Sequence, residues 1–255
     1  MCRWAAWIGQ PIYLEELLSA PANSLIHQSR HASEAKTDVN ADGFGLAWYG
    51  ARPWPGQYRD VHPAWSDPNL RAMAEQVASP LFLAHVRAGT GAPVSRENAH
   101  PFVLGRWCFM HNGQIGGFDA IRQKVDAAIR PDLYAARRGT TDSEALFLLA
   151  AAEGLETDPV AALLRAVDRL RAMGAGRIRM TVALADGTRL IGLRLSSDGK
   201  APSLYIRSCA RGTSLVSEPL ETGDAGWRPV AEGEAVICSG RDLTRMVLAP
   251  QGQLA

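Results

Sequence analysis

The strongest constraint on the fold is how the apolar residues are parcelled into short runs that stop at Gly, Pro or Asp. Residues 43–49 are rich in aromatics, 81–86 form a compact apolar run, and 106–110 follow Gly105 and precede His111-Asn112-Gly113. Residues 178–184 and 189–195 flank Ala185-Asp186-Gly187-Thr188, a hairpin signal because Gly accepts positive φ. Residues 204–206, 214–216 and 235–237 read as further short strands. Three stretches carry a helical period instead. Residues 118–129 place Ile121, Val125 and Ile129 on one stripe. Asp142 or Ser143 can cap a helix through Leu146, Leu149 and Ala152. Asp158 and Pro159 form a cap and first turn ahead of Val160, Leu163, Leu164, Val167 and Leu170. Many strands with helices grouped between them predict an α+β layered architecture. The order of the strands cannot be read from this pattern.

The 255 residues show no repeat, no low-complexity tract and no dividing linker, so residues 1–255 are read as one domain. At 47% apolar and 21% charged residues the chain is neither disordered nor collagen-like. A net charge of +1 argues against a protein that grips nucleic-acid phosphates or anchors through a polybasic patch. No apolar run approaches the roughly 18 residues that span a bilayer. Arg3 interrupts the first apolar stretch and Glu15-Glu16 follow, which is unlike a signal peptide, so a cytoplasmic location is expected. Cys2, Cys108, Cys209 and Cys238 form no CxxC pair, and free thiols are expected.

Several residues could carry chemistry. Removal of Met1 would leave Cys2 with a thiol and a free α-amine of pKa about 7.7–8.0, a nucleophile and its base in one residue. His111-Asn112-Gly113 offers a side-chain amide and an unobstructed backbone N–H where the chain is expected to leave a strand and turn sharply. That pair could hold an oxyanion, or be an ordinary Asn-Gly turn. Arg87 ends the run 81–86 ahead of Ala88-Gly89-Thr90-Gly91 and could clamp a carboxylate, or reach solvent. Asp142, before an apolar helix, could pair with a ligand ammonium, or act as a plain N-cap.

Taken together and in order, the motifs resemble the class-II, N-terminal nucleophile glutamine amidotransferases. They are Cys2; His85-Val86-Arg87; Asn98-Ala99-His100-Pro101; His111-Asn112-Gly113; and Thr141-Asp142-Ser143-Glu144. Asn40-Ala41-Asp42-Gly43-Phe44-Gly45 and residues 215–219 extend the likeness over nearly the whole chain. The resemblance implies a four-layer αββα sandwich and an amidohydrolase acting on glutamine or a γ-glutamyl amide through a Cys2 thioester. By it Cys2 is the nucleophile, and Asn112 and the Gly113 N–H form the oxyanion hole. Arg87 and Thr90 meet the substrate carboxylate, and Asp142 meets its ammonium.

The chain begins Cys2-Arg3-Trp4 where biosynthetic members begin Cys-Gly-Ile, and has Ala88 where they carry an aromatic. In this it looks more like stand-alone members such as the γ-glutamyl hydrolase of ergothioneine biosynthesis. Service as an ammonia-supplying subunit of a separate synthase stays open as an alternative. No cofactor and no metal are implied. His85, His100 and His111 match no common ligand spacing and are read as hydrogen-bonded structural histidines. Cys108 is read as a buried thiol, and Trp48, Trp54, Trp65 and Trp107 as core and pocket wall. Gly43-x-Gly45 lacks the third glycine of a dinucleotide loop, and Arg137-Arg138 is too short for a nucleic-acid patch.

Overall fold

The computed structural model describes residues 2–34, 38–89, 91–223, 225–240 and 242–248. The strands are β1 Arg3–Tyr13, β2 Phe44–Trp48, β3 Gly56–Asp60, β4 Ala78–Val86, β5 Phe102–Leu104, β6 Trp107–Ile115 and β7 Ile178–Ala185. They continue with β8 Arg189–Ser196, β9 Tyr205–Cys209, β10 Gly212–Val216, β11 Arg228–Pro229, β12 Glu234–Ser239 and β13 Asp242–Val247. The helices are α1 Glu15–Leu18, α2 Leu25–Arg30, α3 Pro68–Gln76, α4 Phe118–Ala128, α5 Pro131–Tyr134, α6 Asp142–Ala152 and α7 Pro159–Ala172. Among the described residues one antiparallel sheet runs β11-β9-β10-β1-β4-β2-β3 and a second β13-β12-β8-β7-β6-β5.

Strand parity builds the layers. Successive side chains point to opposite faces of a sheet. In β1, Trp4, Ala6 and Ile8 join Leu81 and Leu83 of β4 and Cys108 and Met110 of β6 in an apolar layer between the sheets. The opposite face of β1, with Ala5, Trp7 and Ile12, packs with Leu17, Leu18, Leu25 and Leu70 of α1–α3. The outer face of the second sheet, with Phe109, Met180, Val182 and Leu184, packs with Val125 of α4, Leu146 of α6 and Leu163 of α7. The result is helices, sheet, sheet, helices: the four-layer αββα sandwich that the resemblance implies. Helix α6 is buried on nearly every side from Ser143 to Ala150, so its run of apolar residues shows no stripe.

Several local expectations change. The first apolar stretch is a central strand, β1, whose two buried faces remove the alternation that marks a half-buried strand. The run at 106–110 extends to Ile115, so His111-Asn112-Gly113 lies inside β6 and not in a turn. Its residues pair with Val182, Thr181 and Met180 of β7. The cap of α6 is Thr141, whose hydroxyl accepts the Glu144 N–H, and neither Asp142 nor Ser143. Asp158 caps α7 as expected, accepting from the Ala161 N–H. Trp107 is buried, Trp48 and Trp65 are half-buried, and Trp54 is exposed under Arg52. The four cysteines are unpaired, and Cys108 is fully buried.

The leading strand is pinned by a buried ion pair. Arg3 donates to the Ser217 and Glu34 carbonyls and stands 3.8 Å from Glu218. Burial alone would raise the Glu218 carboxyl, but hydrogen bonds from Ser33, the Glu34 N–H and Asn23 hold it below the ordinary value. Removing one partner of a buried pair strands the other, so Glu218→Ala is expected to lose roughly 3–5 kcal/mol near neutral pH. A depressed pKa gives stability that is present above the unfolded value and lost as pH falls through the folded one. Urea unfolding should therefore show the gap between wild type and Glu218→Ala shrinking as the pH drops below the ordinary carboxylate range.

Candidate active site

The parity that builds the inter-sheet layer also aims the site. Cys2 continues the row of Trp4 and Ala6, Arg87 that of Leu81 and Leu83, and Asn112 that of Cys108 and Met110. The rows of β1 and β4 end at the same mouth of the sandwich, because Arg3 pairs with Val86, and Asn112 of the facing sheet borders the same opening. A cavity of about 450 Å³ opens there. Its walls include Cys2, Arg87, Asn112, Gly113 and Asp142, brought from four separate stretches of chain.

Cys2 is half-buried, and its Sγ lies 3.4 Å from the Ala88 N–H and 3.5 Å from the Ala88 carbonyl. Burial pushes its thiol up, against the Ala88 N–H and the charges of Arg87 and Arg3. Arg87 is 4% exposed and donates to the carbonyls of Asp42, Ala92 and Pro93. Among the described residues it has no carboxylate partner, so a buried guanidinium meets only neutral acceptors at the cavity wall. Asn112 is 1% exposed, and its Nδ2 has no hydrogen-bond partner among the described residues. A buried amide without a partner is costly, and here it borders the cavity.

Gly113 has φ +150°, and a Cβ there would lie 1.9 Å from the Arg179 carbonyl oxygen of β7. Only glycine lets β6 and β7 approach this closely. Gly45 plays a similar part on the first sheet, where a Cβ would lie 2.2 Å from the His100 carbonyl oxygen. That approach packs the segment 40–45 against the segment 98–101.

The Thr141-Asp142-Ser143-Glu144 motif divides its labour. Thr141 caps α6, and Asp142 lines the cavity with Oδ2 accepting the Ile115 N–H at 2.9 Å. Ser143 donates to Asp142 Oδ1 at 3.2 Å and lies 2.8 Å from His111 Nδ1. Glu144 accepts from Arg137 and from the N–H groups of Arg138 and Gly139, closing the loop before the helix. Asn98 ties that loop to the Arg87 side, through Thr140 and the Pro93 carbonyl.

Thr90 lies outside the described residues. The histidines differ from expectation. His111 has its Ser143 contact, but both ring nitrogens of His85 and of His100 lack a hydrogen-bond partner among the described residues. The two rings pack at 4.4 Å between centroids, where aromatic contact replaces polar partners. Burial pushes His85 down to about 3, with the Arg87 charge adding to the effect, so it stays neutral behind the site. Sequence reasoning also missed Ala88 and Asp42. Ala88 acts through its backbone, which leaves no mark in a sequence. Asp42 Oδ2 accepts the Gly89 N–H at 2.6 Å and holds the loop after Arg87; its place in the 40–45 motif was the available signal.

The family model of class-II glutamine amidotransferases matches residues 20–198. The chain belongs to that family. Among its relatives, probable glutamine amidotransferase DUG3 of Saccharomyces cerevisiae is 40% identical over 58% of this chain and 44% of its own length. The chain thus spans less than half of that relative. The gamma-glutamyl-hercynylcysteine sulfoxide hydrolase of Mycolicibacterium smegmatis is 29% identical over 92% of this chain and 95% of its own. A solved glutamine aminotransferase class-II domain protein from Silicibacter pomeroyi superposes with a TM-score of 0.78 at 43% identity, covering 98% of this chain and all of that one. As a class-II glutamine amidotransferase the chain is an enzyme, and a glutamine or γ-glutamyl substrate accords with the family. Among the described residues no helix is long and apolar enough to cross a membrane.

Proposed function

We propose that this amidotransferase hydrolyses the side-chain amide of glutamine or of a γ-glutamyl amide through a thioester on Cys2. The observation that carries the reading is one cavity that gathers Cys2, Asp142, a buried Arg87 and the amide of Asn112, the last two without a carboxylate and a hydrogen-bond partner respectively among the described residues. Removal of Met1 frees the Cys2 amine. That amine takes the thiol proton as sulfur bonds to the amide carbon. The oxyanion is held by Asn112 Nδ2 and the Gly113 N–H. Collapse breaks the carbon–nitrogen bond, and the Cys2 ammonium returns its proton to the leaving nitrogen. Water then adds to the thioester, the amine again taking a proton, and glutamate leaves as the thiol re-forms. Arg87, with Thr90, holds the α-carboxylate by paired hydrogen bonds, and Asp142 holds the α-ammonium.

A narrower substrate is favoured by one comparison, the likeness over nearly the whole chain to a γ-glutamyl hydrolase. The test is glutamate release from L-glutamine and from γ-L-glutamylcysteine conjugates, on protein shown by intact mass to lack Met1. Faster release from the conjugates favours the narrower substrate, and no release from either would refute hydrolysis.

A further inference from the structure

Asp142 is held at both oxygens. Oδ2 accepts the Ile115 N–H at 2.9 Å, and Oδ1 accepts the Ser143 hydroxyl at 3.2 Å. Two anchors fix the plane of a carboxylate and leave its remaining lone pairs for the cavity. The second anchor has a partner of its own. Ser143 is 5% exposed, and its Oγ stands 2.8 Å from Nδ1 of His111, itself 2% exposed. A serine hydroxyl has one proton. With that proton on the carboxylate, which only accepts, Oγ accepts from His111 Nδ1–H; the competing arrangement turns the His111 proton toward the Arg179 backbone, with Ser143 donating to Nδ1 instead of to Asp142. Every hydrogen in the chain then points toward Asp142, and such aligned bonds reinforce one another at low dielectric. His111 sits on the face of β6 opposite Asn112, beside Gly113, where a Cβ would lie 2.8 Å from its Nε2. The oxyanion strand and the acidic end of α6 are therefore joined by one buried relay.

We infer that His111 and Ser143 are positioning residues that act through Asp142: the relay from His111 Nδ1–H through the Ser143 hydroxyl orients the Asp142 carboxylate toward the substrate's α-ammonium. This rests on the functional reading above, which gives Asp142 that partner. The relay touches neither the sulfur nor the amide, so its loss should weaken binding of the amine-bearing end and spare the chemical step.

The test uses the mature enzyme and whichever of L-glutamine and γ-L-glutamylcysteine it cleaves faster. Ser143→Ala is expected to raise KM about tenfold, the size of a lost charge-assisted hydrogen bond, with kcat within about twofold. Product inhibition by L-glutamate should weaken about tenfold, while inhibition by glutarate, which lacks the amine, should move less than about twofold. A fall in kcat with KM unmoved, or equal weakening of glutamate and glutarate, overturns the proposal. Independently of any variant, ¹⁵N NMR of the wild-type imidazole should show His111 with its proton on Nδ1, and a proton on Nε2 overturns the relay. Failure of the wild-type enzyme to cleave either substrate would instead overturn the functional reading, and the proposal with it.

Discussion

Cys2→Ala protein is expected to release no glutamate above background from any γ-glutamyl substrate while keeping its fold and melting temperature. The expectation follows from where the other thiols stand. Cys108 and Cys238 are buried in the inter-sheet layer, where burial pushes both thiols up, Cys238 to about 12. Cys209 is exposed at the end of β9 and lines no wall of the cavity. None can replace a sulfur held against the Ala88 backbone at the head of β1. The side chain of Cys2 contributes little packing that Ala would lose, so the loss of rate should come without loss of structure. Steady-state assays beside thermal melts separate the two.

Asn112→Ala is expected to lower kcat by about 10²- to 10³-fold, the usual cost of one oxyanion donor. KM should change far less, because in the proposed mechanism the amide meets a charge that develops in the transition state. Removing Nδ2 also removes an amide nitrogen buried without a partner among the described residues, so the variant should be no less stable than wild type. This combination of a slower and undiminished protein distinguishes a catalytic donor from a structural one. A loss confined to KM would move Asn112 from the oxyanion hole to substrate binding.

Much of the fold was legible because its elements follow local rules. The 178–195 hairpin turns where Asp186 and Gly187 mark it, with Asp186 accepting the N–H groups of Thr188 and Arg189. Helix α7 starts where Asp158 and Pro159 predict. The αββα layering came from the family resemblance, since strand order depends on pairings between residues far apart in sequence, such as Trp7 with Phe82 and Ser214.

The clearest local failure was His111-Asn112-Gly113. Asn and Gly are turn formers by propensity, yet pairing with β7 overrides it, and the glycine serves the close approach of the Arg179 carbonyl. The motif residues reached one cavity, but their supports were invisible in the sequence. Ala88 contributes only backbone, Ser143 read as a cap, and the lack of polar partners for His85 and His100 among the described residues depends on packing.

The most direct test of the account is covalent trapping. A glutamine-mimicking diazo-ketone such as 6-diazo-5-oxo-L-norleucine, incubated with the mature enzyme, should label a single residue, and peptide mapping should place the label on Cys2 with glutamine protecting it. Label on Cys108, Cys209 or Cys238, or none on Cys2 in protein that lacks Met1, would contradict a thioester mechanism at the head of the chain.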